Sequence, residues 1–179
     1  VCTEGYEAPV KSIGNSTTTP RDLETDLDVW IILMALSESV SARLRKHGFK
    51  CKVVEISIRD NGLNSITRQK RISQPTNITD EIVKAAFELF KKHYRWEHPI
   101  RSLGVRGSDL VMEDIPVQLD LFDNQEKREK LERLDRAVDE IRRRFGYFSI
   151  QRAAMYQDKV LSHLDAGTHT VHPHSYFHG

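Results

Sequence analysis

Cysteine is nearly absent from this 179-residue chain: there are two, Cys2 and Cys51. They are too few, and too far apart in sequence, to argue a disulfide framework or a zinc site. Long apolar runs are missing as well. The longest, from Val29 to Leu36, has eight residues, against the roughly 18 that a membrane-spanning helix needs. No stretch has the pattern of a signal peptide, so a cytoplasmic, reducing location with no membrane partner is expected. Catalytic signatures are missing too: there is no Gly-rich phosphate loop, no G-x-S-x-G and no H-E-x-x-H. The abundant acids lie on amphipathic helical patterns. Nothing resembles the paired carboxylates that hold two metal ions for phosphoryl transfer. No catalytic residue, metal ligand or cofactor site is expected within this stretch.

Charge is present, and it is uneven. The net charge of +1 conceals an acidic start, seven acids against two bases in residues 1–38, and a basic middle. Residues 41–72 hold nine bases against Glu55 and Asp60, a local excess of seven. Such a segment attracts a polyanion or forms a solvated face, and charge alone does not choose between them.

Apolar periodicity divides the chain into alternating elements. Lys11 to Thr18 reads as a short strand. Thr25 or Asp26 caps a helix over about 27–47, with Leu23, Leu27, Trp30, Leu33, Met34, Val40 and Leu44 at helical spacing. Gly48 ends it, after the basic run Arg45-Lys46-His47 that suits a helix C-terminus. Lys50 to Arg59 alternates as a half-buried strand, with Val54, Ile56 and Ile58 on one side. Asp60-Asn61-Gly62 is a turn, Ser65 to Ser73 a polar strand, and Gln74-Pro75-Thr76-Asn77 its close. Thr79 caps a second helix striped by Ile82, Ala86, Leu89, Phe90 and Tyr94, with Asp80 and Glu81 in its first turn.

Ile100 to Leu110 is the last strand of this segment. Ile100 is even-numbered while Leu103 and Val105 are odd, so all three reach one core only across a bulge near Arg101-Ser102. The order β-α-β-β-α-β predicts an α+β domain: a four-stranded antiparallel sheet with both helices on one face. The other face is then open. Arg59, Arg68, Lys70, Arg101 and Arg106, with serines and threonines between, would suit nucleic-acid phosphates, which position a duplex without reading its sequence. The alternative is a solvated sheet face. No aromatic pair stands on these strands to stack single-stranded bases.

Beyond the sheet, Gln118-Leu119-Asp120-Leu121-Phe122 mixes one amide with three large apolar side chains, after a Pro116 that favours extended backbone. On the residues alone these side chains bury themselves on their own domain or in a partner's apolar pocket. A helix follows from Asp123 or Asn124, with Leu131, Leu134, Val138, Ile141 and Phe145 at a 3-4-3-4 spacing. Two heptads are too few for a coiled coil, and docking on the domain or on a neighbouring chain is the expected role. Gly146 ends it, and a mixed segment follows from Phe148 to Met155. Five of the eight histidines fall in the last 17 residues. His169, His172 and His174 have metal-ligand spacing but no acidic or cysteine partner nearby, and an extended tail is the simpler reading.

Several of these stretches resemble one family. Lys11-Ser12-Ile13-Gly14-Asn15-Ser16 is similar to the opening strand of the little-finger, or polymerase-associated, domain of bacterial Y-family translesion DNA polymerases of the DinB/UmuC/UvrX-like type. Arg43-Leu44-Arg45-Lys46-His47-Gly48 resembles the end of its first helix. The run from Ile100 to Leu110 resembles its last strand, and is the most specific of the three. Gln118 to Phe122 closely matches the pentapeptide by which bacterial polymerases bind the β sliding clamp. The likeness covers residues 11–122, and less specifically the helix containing Leu134 to Asp139.

The resemblance implies a linker remnant over 1–10, a DNA-binding domain over 11–113, a clamp-binding peptide over 114–123, and a helical extension with a His-rich tail over 124–179. It implies sequence-independent contacts to primer-template duplex from Ser12, Thr67, Arg68, Lys70, Arg101, Ser102 and Arg106. It implies clamp contacts from Gln118, Leu119, Asp120, Leu121 and Phe122, with Gln118 in a polar subsite and Leu121 and Phe122 in an apolar pocket. Asp109 stands where some members have a base. The parent would be a DNA-directed DNA polymerase of lesion bypass and SOS-type repair, with Mg2+ held elsewhere, in its palm. Two alternatives are a non-catalytic clamp-binding repair adaptor and a ferredoxin-like module for RNA or a small molecule.

Overall fold

The computed structural model describes residues 10–114 and 125–163. Four strands and two long helices alternate in the expected order: β1 (Ser12–Leu23), α1 (Asp26–Lys46), β2 (Phe49–Asp60), β3 (Ser65–Thr76), α2 (Thr79–His93) and β4 (Ile100–Met112). The strands form one antiparallel sheet in the order β1-β4-β2-β3. Each helical connection steps over one strand, as a split βαβ unit requires. The pentapeptide Gln118–Phe122 and the histidines from His169 onward lie outside the described residues.

Local chemistry sets the element ends. Thr25 caps α1 in a reciprocal box: its hydroxyl accepts from the Asp28 amide at 3.1 Å, and the Asp28 carboxylate accepts from the Thr25 amide at 3.2 Å. Gly48 closes the helix with a φ of 68°, where a side chain would be strained. The expected turn follows β2. Leu63, not Gly62, takes the left-handed conformation, with a φ of 68°. The Asp60 carboxylate holds the turn by accepting from the Asn64 amide at 2.9 Å. At the start of α2 the N-cap is Ile78 and not Thr79, and no side chain of that helix caps it.

The sheet has a dry face and an open one. Ile13, Val54, Ile56, Ile58, Leu103 and Val105 are buried under the helices. The bulge expected near Arg101 is there: Arg59 pairs with Ser102, but Asp60 pairs with Ile100, so Arg101 is the extra residue. Strand β3 carries a second irregularity. Its pairing with β2 jumps from Arg71 to Thr76, which gives Pro75 a place where no ladder donor is needed.

Helix α1 is buried on nearly every side, not along one stripe. Residues Ile31 to Ser41 are all buried. Burying each Ile or Leu stabilises by about 1.5–3 kcal/mol, and the eight-residue apolar run is the signal of that enclosure. The second wall is the C-terminal segment: α3 (Gln125–Phe145), two short 3-10 turns (Tyr147–Ser149, Ala153–Gln157) and α4 (Lys159–Ser162). Met155 and Leu161 join the same core as α1. No helix among the described residues is long and apolar enough to cross a membrane.

Helix α3 docks largely through ions, as its exposed Leu134 and Phe145 show. Asp135 is 3% exposed. Its carboxylate accepts from Arg45 at 3.2 Å, from Arg152 at 2.7 Å and from the Thr79 amide at 2.8 Å. It thereby supplies the cap that α2 lacks, from 56 residues away. Glu38, buried in mid-α1, accepts from Arg142 at 3.0 Å and Arg152 at 3.1 Å. Arg45 also reaches Asp139 at 2.6 Å.

Candidate nucleic-acid interface

Cross-strand partners share a face, so register decides which side chains meet on the open side. Four rows cross the sheet from β1 through β4 and β2 to β3: Thr18-Ser102-Arg59-Ser65, Ser16-Gly104-Ser57-Thr67, Gly14-Arg106-Glu55-Gln69 and Ser12-Ser108-Val53-Arg71. Eight of the sixteen positions carry hydroxyls, three are arginines, one is acidic, and none is aromatic. A shallow groove of about 610 Å³ runs over the middle rows, lined by Ser12, Gly14, Ser16, Ser57, Thr67, Gly104 and Arg106 among others. Gly104 keeps its floor flat. A Cβ there would stand 2.4 Å from the Ser57 hydroxyl oxygen and 3.0 Å from the Ser16 Cβ.

Of the seven residues named as DNA contacts, Ser12, Thr67, Ser102 and Arg106 stand on this face. Arg106 is half exposed and its guanidinium lies 3.4 Å from the Glu55 carboxylate. The Ser102 hydroxyl donates to the Thr17 carbonyl at 2.9 Å. Arg101, in its bulge at the end of the face, donates to the Thr19 carbonyl at 3.3 Å and lies 3.4 Å from Asp22.

Arg68 and Lys70 correct the expectation. Arg68 is opposite Ile56 and Lys70 opposite Val54, both core residues. Their side chains therefore leave edge strand β3 on the helix side, and the Lys70 ammonium meets Glu88 of α2 at 2.5 Å. Sequence parity carried the signal: Ile66, Arg68, Lys70 and Ile72 alternate with Thr67, Gln69 and Arg71. The same parity places Gln69, beside Glu55, and Arg71, beside Val53, on the open face.

Part of the basic middle of the chain is paired with carboxylates. Arg45 is buried against Asp135 and Asp139, Lys50 lies 3.9 Å from Glu132, and Arg71 lies 3.1 Å from Asp109. Asp109, with a φ of 52°, turns out of the ladder toward that arginine. What remains on the open face is a modest positive excess, carried by Arg59 and Arg106, over a bed of hydroxyls and backbone. Hydroxyls, amides and guanidinium groups of this kind can donate hydrogen bonds to an anion. Among the described residues no group of three or more His, Cys, Asp or Glu side chains could hold a metal ion.

Residues 10–121 match the model of the impB/mucB/samB family C-terminal domain. This chain belongs to that family. A DNA polymerase IV of Acetivibrio thermocellus is 48% identical over 158 residues, a match covering 88% of this chain and 40% of that protein. A DNA polymerase IV of Pelotomaculum thermopropionicum is 33% identical over 144 residues, covering 80% and 35%. The impB/mucB/samB chain in hand thus spans less than half the length of these curated relatives. Its fold aligns with a Y-family DNA polymerase chimera at a TM-score of 0.50 and 16% identity, over 62% of this chain and 32% of that one. The little-finger resemblance of the sequence is borne out in family and in fold.

Proposed function

We propose that this chain is the DNA-gripping and clamp-docking region of a Y-family translesion polymerase. It supplies grip and recruitment and no bond-making chemistry. The observation that carries the reading is the open sheet face, a lattice of hydroxyls, glycines and arginines on the side opposite α1 and α2. A duplex lowered onto it meets donors from Ser12, Ser16, Ser57 and Thr67, with Arg59 and Arg106 neutralising phosphates, while the Ser102 hydroxyl is held by the Thr17 carbonyl. Such contacts fix the position of the duplex and are indifferent to its sequence. Arg101 adds a cation at the end of the face. Lys70, tied to Glu88, is outside this footprint, and so is Arg68.

Recruitment rests on Gln118 to Phe122. In this reading Leu121 and Phe122 anchor in an apolar pocket of the β sliding clamp, and Gln118, Leu119 and Asp120 set register. Catalysis, with its Mg2+ ions, belongs to the parent polymerase's palm, outside this chain.

Two measurements test the reading. Binding of a labelled primer-template duplex should be weak, insensitive to sequence, and weaker as salt rises, with the slope reporting the phosphates neutralised. Salt-independent binding, or none at low salt, contradicts the open-face assignment. In a pull-down with a bacterial sliding clamp, the double variant Leu121→Ala/Phe122→Ala should lose binding, since such anchors often carry ~2 kcal/mol or more each. Retained binding rejects the peptide assignment.

A further inference from the structure

We infer that Arg43, reaching from α1 toward edge strand β1, is a phosphate ligand of the same DNA track. It is an addition to the open-face residues and rests on the proposal that this face holds DNA. The Arg43 Nη1 donates to the Gly14 carbonyl at 2.9 Å. Gly14 sits in the open-face row beside Arg106, and a Cβ at Gly14 would stand 3.1 Å from the Arg106 Cβ. β1 is an edge strand among the described residues, and the helix-side guanidinium reaches the open groove round it. Arg43 lines that groove with Ser12 and Arg106, and also lines a second one between α1 and α3.

Its environment lacks one thing. Five described arginines have no carboxylate partner: Arg43, Arg59, Arg68, Arg95 and Arg133. Four of them are exposed, and Arg43 alone is half-buried. A partly desolvated cation without an anion is costly. Burial accordingly pushes its pKa below the usual guanidinium value. The Gly14 carbonyl takes one of five N–H donors, which leaves a fork suited to the two oxygens of a phosphodiester. Neighbouring Arg45 shows the contrast, since it is saturated by Asp135, Asp139 and the Asn77 carbonyl.

The test is fluorescence anisotropy of a labelled primer-template duplex across a KCl series, with wild type, Arg43→Gln, Arg43→Lys and Arg106→Gln. Arg43→Gln should bind about 3- to 10-fold more weakly at low salt, with the slope of log K against log salt reduced by about one. Arg43→Lys should keep the slope and lose part of the affinity, because a point charge replaces the fork. If Arg43→Gln binds as wild type while Arg106→Gln is weakened, Arg43 is no ligand and the open face stands. If wild type fails to bind at low salt, the open-face reading falls and this inference with it. A urea titration guards against a folding artefact. Equal affinity losses in both Arg43 variants, accompanied by equal drops in unfolding midpoint, would assign Arg43 a structural role only and overturn the inference.

Discussion

Replacing Asp135 by alanine should loosen the whole C-terminal wall. Its carboxylate serves three donors at once: Arg45, Arg152 and the Thr79 amide at the N-terminus of α2. Losing the helix cap costs about 1 kcal/mol. Removing one partner of a buried ion pair costs about 3–5 kcal/mol when nothing replaces it. Here the loss is smaller, because Arg45 keeps Asp139 and the Asn77 carbonyl, and Arg152 keeps Glu38 and Asp80. A total near 3 kcal/mol follows, or about 6–12 °C in Tm at roughly 2–4 °C per kcal/mol for a chain of this size. Asp135→Asn retains an acceptor for Thr79 and should cost about half as much. Urea titration and thermal melts by circular dichroism read both variants. A change below about 0.5 kcal/mol for Asp135→Ala would refute the claim that α3 is held through this carboxylate.

Other expectations can be checked on the same material. Leu63 occupies the left-handed region while 69% exposed, so Leu63→Gly should raise stability by about 0.5–1 kcal/mol in a urea titration, because the strain it relieves of ~1–2 kcal/mol exceeds the added chain entropy. Acid should undo the joint between β1 and the C-terminal segment. Burial alone would push Asp28 up, but the Arg21 guanidinium and the Glu24 amide outweigh it and hold the carboxyl below its usual value. Arg21 and the Leu161 and Val160 amides do the same for Asp158. Both folded values are depressed, so the stability they contribute is present above about pH 4 and is lost as pH falls below it. Melts from pH 6 to pH 2.5 should therefore show a smaller acid loss in Arg21→Gln than in wild type. Burial pushes the Cys51 thiol up to about 12. In a Cys2→Ser background, a thiol reagent at pH 8 should label Cys51 only at the rate at which the domain unfolds, and fast labelling of the folded protein would contradict its burial.

The sheet was readable because two-residue alternation in β2 and the parity break between Ile100 and Leu103 are local signals, and both the topology and the Arg101 bulge follow from them. Gly48 was readable because a helix stop after a basic last turn leaves few residues that tolerate its conformation. The misplacement of Arg68 and Lys70 has a different origin. Charge does not fix a side: Ile66 and Ile72 on the same parity pack against the core, and an edge strand lets long cations leave from under a helix to reach a carboxylate such as Glu88. The ionic docking of α3 was hidden for a separate reason. Asp135 and Arg45 are 90 residues apart, and no periodicity links them. The apolar stripe that was visible, Leu131 to Phe145, lies partly in solvent.

The claim at the centre of this account is that one face of the sheet takes the phosphate backbone. Backbone amide chemical shifts recorded on titrating in a primer-template duplex test it most directly. The account predicts changes concentrated in Ser12–Thr18, Glu55–Arg59, Thr67–Gln69 and Ser102–Arg106, with α2 around Glu88 unmoved. Changes centred on α2 and the Lys70–Glu88 pair, with the open-face rows silent, would contradict it.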